Sequence, residues 1–107
     1  MYQYKCKILK VIDGDTVDVQ TDLGFDIRLN MRVRLLGIDA PEMSTPEGKA
    51  SRLWLIEAMP VESEWTLATK KDRKEKYGRY LGEFWQTEHQ TINKMIVEAG
   101  HASWKDW

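Results

Sequence analysis

Two short acidic segments carry the side chains in this sequence that are best suited to chemistry. The first, residues 13–16, reads Asp-Gly-Asp-Thr, and the second, residues 39–42, reads Asp-Ala-Pro-Glu. Each adjoins a strand-like stretch, so each places its carboxylates at a strand end. Taken singly, both segments are better explained as structure. Asp-Gly is a favoured hairpin turn, and the second segment reads as a solvated loop whose path Pro41 fixes.

The two segments gain a chemical interpretation when they are considered together. If Asp15 and Asp39 meet at one end of adjacent strands, they offer the hard oxygens that Ca²⁺ or Mg²⁺ binds, and a phosphate could complete the coordination shell. Arg34 lies on the polar face of the strand that leads to Asp39, from where it could reach the same phosphate. A guanidinium binds phosphate oxygens in a bidentate manner, which a lysine cannot do.

A basic segment at residues 70–79 is the second candidate for substrate binding. It holds six of the 16 positive residues of the chain, and its first lysines are best explained as a solvated turn between strands. Tyr77 and Arg79 differ, because Gly78 permits a sharp turn that points the ring and the guanidinium into one cleft. A ring stacks on a base and a guanidinium holds a phosphate. The alternative is that Tyr77 packs on the barrel and Arg79 pairs with a carboxylate.

Alternating side chains predict the strands that must position these groups. The residues on one face of the first strand are Tyr4, Cys6 and Ile8, and an Asp13-Gly14 turn leads to a second strand. After a turn at Leu23-Gly24, the third strand has a buried face made of Ile27, Leu29, Met31, Val33 and Leu35. Residues 65–69 and 80–85 read as two further strands, which a polar connection over residues 70–76 joins.

Two helices complete the pattern. The first begins at a capping box over residues 44–47 and ends before Pro60, and its residues at helical spacing include Ala50, Leu53 and Trp54. Thr91 caps the second, Gly100 ends it, and its apolar face holds Ile92, Met95, Ile96 and Ala99. The order β-β-β-α-β-β-α predicts a mainly β fold with helices (α+β). We expect a five-stranded Greek-key barrel of the OB type, formed by one domain over residues 1–107.

Composition and charge exclude several classes of protein. The 107 residues carry 16 Lys and Arg against 17 Asp and Glu, a net charge of −1, which excludes a uniformly basic nucleic-acid-binding protein. The single cysteine, Cys6, cannot form an intrachain disulfide and reads as a core residue. No apolar run approaches the roughly 20 residues that span a bilayer, and no signal-peptide stretch opens the sequence. We therefore expect a soluble protein without a membrane partner, intracellular by default and secreted if a leader has been removed.

Four segments, in the same order and over nearly the whole chain, resemble the staphylococcal nuclease (thermonuclease) family. They are residues 11–17 (Val-Ile-Asp-Gly-Asp-Thr-Val), 33–42 (Val-Arg-Leu-Leu-Gly-Ile-Asp-Ala-Pro-Glu), 76–81 (Lys-Tyr-Gly-Arg-Tyr-Leu) and 92–102. Each motif is modest alone, and the four in order are specific. The resemblance implies an OB-type barrel and Ca²⁺-dependent cleavage of DNA and RNA that leaves 3′-phosphate ends. Because no base-reading helix is evident, we expect weak sequence preference and a bias to single or flexible strands.

The resemblance also implies a role for each acidic residue of the matched motifs. Asp15 and Asp39 would bind Ca²⁺ together with the backbone carbonyl of Ala40. Glu42 would orient or deprotonate the attacking water. With two carboxylate ligands, waters and substrate must fill the rest of the shell, so we expect weak metal binding in the absence of substrate.

The basic and aromatic positions carry over in the same way. Arg34 and Arg79 would hold the phosphate, and Lys76 and Tyr77 would contact the nucleotide. The alternative is a non-catalytic OB module that binds nucleic acid or a peptide. Such modules have lost the acidic ligands and the arginines, and this chain retains them, so the enzyme is favoured.

The chain also departs from the family pattern. Ala40 stands where the best-known member has threonine, and the loop from Glu42 to Ala50 is shorter than in that member. The family's third helix has no counterpart in this sequence. If apolar surface is exposed where that helix would pack, a second copy could cover it, and a homodimer is our hypothesis.

Overall fold

The structure is a computed structural model that describes residues 2–74 and 80–105, with residues 71–74 described by their backbone alone. Its strands are β1 (Tyr2–Asp13), β2 (Thr16–Asp22), β3 (Arg28–Leu35), β4 (Ile38–Asp39), β5 (Glu64–Lys74), β6 (Tyr80–Thr87), β7 (Gln90–Thr91) and β8 (Ser103–Trp104). Its helices are α1 (Pro46–Ala58) and α2 (Ile92–Glu98). In this part of the chain no helix is long and apolar enough to cross a membrane.

Five long strands close into a barrel. The neighbours run β3-β2-β1-β5-β6 in antiparallel pairs, and a parallel pairing between β3 and β6 completes the circle. Helix α1 connects the third barrel strand to the fourth, which is the connection expected for an OB-type Greek key. The predicted fold class is confirmed. The short strands β4, β7 and β8 were not predicted, because two residues are too few for an alternation to show.

Alternation along the barrel strands fills the interior. The residues with no exposed surface include Ile8, Val17, Val19, Val33, Leu35, Leu67 and Phe84. Cys6 belongs to the same core, as predicted, and burial raises the pKa of its thiol to about 12. The interior of the barrel is therefore packed mainly with apolar side chains. The candidate catalytic groups must lie at the ends of the barrel or on its outer face.

The third strand departs from its predicted pattern in its first half. Val33 and Leu35 are buried, but Leu29 is 43% exposed and Ile27, which precedes β3, is 55% exposed. The reason is that, among the described residues, β6 pairs with β3 only over residues 33–35, so the first half of β3 has no neighbouring strand on that side. The turn of the β2–β3 hairpin includes Gly24 (φ 83°), as predicted, and continues through Phe25 and Asp26, with φ angles of 55° and 62°.

The predicted start of α1 is wrong by one residue. Thr45 is the N-cap in place of Ser44, and its hydroxyl accepts a hydrogen bond from the Gly48 amide at 3.0 Å. The buried residues of the helix are Gly48, Ser51 and Leu55, whereas Ala50 and Leu53 are exposed. Small residues were not expected on the buried face, since an apolar-periodicity argument ignores them. The helix ends at Ala58, before Pro60, as predicted.

Helix α2 is joined to the barrel by a buried amide. Thr91 caps the helix as predicted, and its hydroxyl accepts from the Lys94 amide. The side chain of Asn93 donates to the carbonyl oxygens of Leu36 and Gly82, at 2.9 and 3.2 Å, and accepts from the Phe84 amide at 3.2 Å. Because Asn93 is only 1% exposed, these bonds replace water for three backbone groups.

Candidate functional site

The turn between β1 and β2 holds Asp15 at one end of the barrel. Asp13 accepts a hydrogen bond from the Asp15 amide at 3.0 Å, which shapes the turn. The Asp15 carbonyl accepts from the Leu35 amide at 2.8 Å, so the turn is fixed to the end of β3. Asp15 is 5% exposed, which leaves its carboxylate inside the protein surface rather than on it.

Arg34 joins the two acidic segments. It lies on β3 opposite Thr16, and its Nη2 is 3.2 Å from Asp15 Oδ2 and 2.9 Å from Asp39 Oδ1. The Arg34 side chain is only 11% exposed. Residues that lie far apart in the sequence therefore share one guanidinium nitrogen, and this places the two carboxylates side by side.

The loop after β4 completes this arrangement. Strand β4 pairs with β8, which fixes Asp39 opposite Ser103. The Ala40 amide donates to Asp15 Oδ2 at 3.0 Å, so backbone as well as side chain connects the two segments. Lys105 Nζ lies 3.8 Å from Asp39 Oδ2. Sequence reasoning missed Lys105, because only the register of the two-residue strand β8 brings it to the site.

The electrostatics of Asp15 follow from its surroundings. Burial, the hydrogen bond to Asp13 and the charge of Asp13 raise its pKa to about 6, while the Ala40 amide and the charge of Arg34 oppose this shift. An ionised Asp15 is thus held at a free-energy cost. A cation bound beside Asp15 would stabilise its ionised form and offset this cost.

The donor set of this end suits a hard divalent cation with an incomplete protein shell. Asp15 and Asp39 supply carboxylate oxygens, which Ca²⁺ and Mg²⁺ prefer, and the buried Asp15 would gain from a neighbouring cation. Over residues 2–74 and 80–105, no cluster of three or more His, Cys, Asp or Glu side chains could hold a metal ion. A bound cation would therefore need further ligands from the backbone, from water or from a substrate phosphate.

Glu42 lies on the same loop, three residues after Asp39. Its carbonyl oxygen accepts from the Thr45 amide at 3.0 Å and from the Thr45 hydroxyl at 2.7 Å, which ties its backbone to the start of α1. Its side chain is exposed. Among the described residues no hydrogen bond joins its carboxylate to Asp15 or Asp39, so its backbone is fixed while its side chain stays at the surface.

The remaining predicted site residues, Lys76, Tyr77 and Arg79, lie outside the described residues. Their roles stay predictions. The described chain resumes at Tyr80, which pairs with Val33, and Leu81 pairs with Arg34 itself.

A cavity of about 250 Å³ opens beside the acidic loop. It lies between residues 39–41 and residues 100–103. His101, which belongs to this wall, contacts the ring of Trp54 with the ring centres 6.0 Å apart. The cavity gives the Asp39 side of the site access to solvent, whereas the Asp15 side is buried.

Comparison with known proteins adds relatives that match most of this chain. An uncharacterized endonuclease of Escherichia coli O157:H7 is 31% identical over 99 residues, which are 92% of this chain and 58% of that protein. Protein ParB of Escherichia coli is 39% identical over 104 residues, 90% of this chain and 54% of that protein. A micrococcal nuclease of Shigella flexneri is 31% identical over 107 residues, 92% of this chain and 57% of that protein. The chain spans somewhat more than half the length of these relatives.

A family model places the chain more directly. The model described as staphylococcal nuclease homologue matches residues 32–106. The match takes in Arg34, Asp39 and Glu42 and begins after Asp15. Because it covers well over half of the chain, the chain belongs to the family of staphylococcal nuclease homologues.

Proposed function

We propose that the chain is a nuclease that hydrolyses phosphodiester bonds of DNA and RNA with the help of Ca²⁺. The observation that carries this proposal is that the carboxylates of Asp15 and Asp39 both lie within 3.2 Å of Nη2 of Arg34. Two relatives with the words endonuclease or nuclease in their names support it. A nuclease needs an acidic pair for the cation and a fixed positive group for the phosphate, and both are present at this end of the barrel.

Arg34 is the residue that holds the scissile phosphate. As water attacks the phosphorus atom, negative charge grows on the phosphoryl oxygens, and a guanidinium fixed beforehand stabilises that charge more than the ground state. Its small exposure means that the side chain loses little freedom when substrate binds. An incoming phosphate replaces a carboxylate as its partner. Ca²⁺ held by Asp15, Asp39 and the carbonyl of Ala40 would neutralise the acidic pair and polarise the phosphoryl group.

Glu42 acts on the attacking water. Its backbone is fixed by hydrogen bonds and its side chain is exposed, which suits a group that contacts water once substrate is bound. The carboxylate orients that water or removes its proton. Arg79 supplies the second guanidinium on the phosphate, and Lys76 and Tyr77 contact the nucleotide. Hydrolysis leaves the phosphate on the 3′ end, with a preference for single or flexible strands.

A non-catalytic binding module is the second candidate, and one observation favours it. Arg34 is engaged by both carboxylates, and Asp15 Oδ2 also accepts from the Ala40 amide. Such a closed network is also what a module would keep for stability alone. The two candidates differ in whether adding Ca²⁺ opens the network to a phosphate.

The test is hydrolysis of single-stranded DNA with Ca²⁺ and with a chelator of Ca²⁺. We expect cleavage only with Ca²⁺, 3′-phosphate ends on the products, and loss of cleavage in Asp15→Asn. The matched control is Asp18→Asn, an acidic position on β2 that pairs with Arg32 on the outer face. Binding of DNA without Ca²⁺-dependent cleavage would overturn the enzyme and support the module.

A further inference from the structure

The buried face of α1 is made mainly of small residues, and it points at the acidic end of the barrel. Gly48 and Ser51 lie three residues apart on this face, followed by Leu55. Ser51 is fully buried, and its Oγ has no hydrogen-bond partner among the described residues. A buried hydroxyl without a partner lowers stability relative to alanine, so stability alone does not explain a serine at this position.

Ser51 lies directly against the Asp15 turn, at a point that the Asp39 loop also approaches. A Cβ placed on Gly14 would overlap Ser51 Oγ and would lie 2.9 Å from Ser51 Cβ and 2.8 Å from Ala40 Cβ. Gly14 directly precedes Asp15, and Ala40 directly follows Asp39. Helix, turn and loop are therefore packed against one another without room for one further carbon atom.

Gly48 makes the corresponding contact with the third acidic residue. A Cβ on Gly48 would overlap the carbonyl oxygen of Glu42 and lie 2.8 Å from that of Pro41. The first turn of α1 thus rests directly on the backbone that carries Glu42. One face of one helix touches the segments of Asp15, Asp39 and Glu42.

We propose that α1 is the positioning element of the acidic site, with Ser51 as its main positioning residue. Ser51 sets the separation between the Asp15 turn and the Asp39 loop, and Gly48 sets the position of Glu42 relative to both. Ser51 contacts no reacting atom in this account and acts through Gly14 and Ala40. The purpose assigned to this spacing, which is to hold a divalent cation, rests on the proposed function.

The hydrogen bond from the Ala40 amide to Asp15 supplies a probe that needs no metal. This bond crosses the gap that Ser51 spans, so the Ala40 amide signal in an NMR spectrum of ¹⁵N-labelled protein reports the separation of the two segments. A titration of the same sample with Ca²⁺ alone yields the dissociation constant. One sample thus reports both the geometry and the binding.

The main test uses Gly14→Ala and its repair. We expect Gly14→Ala to shift the Ala40 amide signal and to weaken Ca²⁺ binding at least tenfold, because the added carbon pushes the turn away from α1 and Ala40. Gly14→Ala combined with Ser51→Gly removes the overlap with α1 and leaves the 2.8 Å approach to Ala40 Cβ, so its Ca²⁺ affinity should recover in part from that of Gly14→Ala alone. The control is Gly82→Ala in the barrel wall, where a Cβ would lie 2.6 Å from Leu67 Cδ1. This control should lower the melting temperature and leave the Ca²⁺ affinity unchanged.

Ser51→Ala keeps the test decisive if Gly14→Ala does not fold. We expect this variant to melt at the same temperature as the parent chain or higher, and to bind Ca²⁺ about threefold more weakly, since removing Oγ relaxes the contact with Gly14. A structural role alone would move both quantities together or neither.

Two results would overturn the positioning role. One is an unchanged Ala40 signal and unchanged Ca²⁺ affinity in the folded Gly14→Ala and Ser51→Ala variants. The other is an equal loss of affinity in Gly82→Ala. If the parent chain neither binds Ca²⁺ nor cleaves DNA in its presence, the proposed function fails, while the Ala40 signal in metal-free samples still decides whether α1 sets the spacing.

Discussion

The two ends of the barrel differ in what they bury and what they expose. At the acidic end, Asp15 is 5% exposed, and backbone and side-chain contacts connect it to the neighbouring strands and loop. At the hairpin end, Phe25 is 98% exposed and Ile27 is 55% exposed. The first end buries charge, which is costly unless every group is held in place. The second end exposes apolar side chains, and no buried charge there requires its neighbours to hold a fixed position.

This difference indicates at which end of the barrel a substitution should change function and stability most. Polar groups at the acidic end are coupled through short contacts, so removing one leaves others buried and unsatisfied. The hairpin residues make few such contacts and already tolerate positive φ angles at two non-glycine residues. We therefore expect large effects on function and stability at one end and small effects at the other.

The largest effect is expected for Arg34→Ala. Loss of the guanidinium removes the group placed against the phosphate, and we expect kcat/KM for Ca²⁺-dependent cleavage of single-stranded DNA to fall about 10³-fold or more. Arg34→Lys should not restore it, because an ammonium cannot bind the phosphate in a bidentate manner. Arg32→Ala is the matched control on the same strand, since Arg32 pairs with Asp18 on the outer face. A fall of less than tenfold in Arg34→Ala would contradict the role.

Asn93→Ala should give the largest loss of stability without touching the site. The Leu36 carbonyl and the Phe84 amide lose this partner, whereas the Gly82 carbonyl keeps its hydrogen bond from the Leu36 amide. Each unsatisfied group costs about 1–3 kcal/mol, so we expect the free energy of unfolding to fall by about 3–5 kcal/mol. Urea denaturation measures this loss. A change below about 1 kcal/mol would mean that water replaces the amide at little cost.

Protonation of Asp15 should make stability depend on pH in the absence of divalent cations. Its pKa is raised from 3.8 to about 6 on folding, so the folded state holds the proton more tightly than the unfolded state. The free energy of unfolding should therefore fall as pH rises from about 4 through about 6, by at most about 3 kcal/mol.

The measurement compares the parent chain with Asp15→Asn in urea at pH 4 to 7. The difference between the two isolates Asp15 from other acidic groups. Ca²⁺ should reduce the fall, because a bound cation favours the ionised carboxylate. A difference that does not vary with pH would show that burial does not raise the pKa of Asp15.

The smallest effect is expected at the hairpin end. Phe25→Ser removes a side chain that is almost fully exposed, so the free energy of unfolding should change by less than about 0.5 kcal/mol and kcat/KM by less than about twofold. A large loss of stability would show that the hairpin is packed and not free.

Sequence patterns were sufficient for the barrel because its strands are buried on one face. Cys6 and Ile8, or Val33 and Leu35, alternate with polar residues, and the structure places these apolar side chains inside. The proximity of Asp15 to Asp39 could also be predicted, because each residue lies at the end of a strand. These predictions depend on local periodicity and on the rule that neighbouring strands share an end.

Other features depend on tertiary context and left no such signal. Leu29 has the right period for the core, but the described part of β6 pairs only with residues 33–35 of β3 and leaves Leu29 exposed. Ser51 and Asn93 are polar residues on helices, and only the contacts of those helices explain their burial. Lys105 reaches Asp39 through a two-residue strand pairing. Each of these residues depends on a partner distant in sequence.

The most direct test of the shared site is a crystal structure with Ca²⁺ and a nucleoside bisphosphate. We expect one Ca²⁺ ion bound by the carboxylates of Asp15 and Asp39, with a phosphate on the guanidinium of Arg34. A structure in which the ion and the nucleotide bind elsewhere, while Arg34 still bridges the two carboxylates, would contradict this expectation.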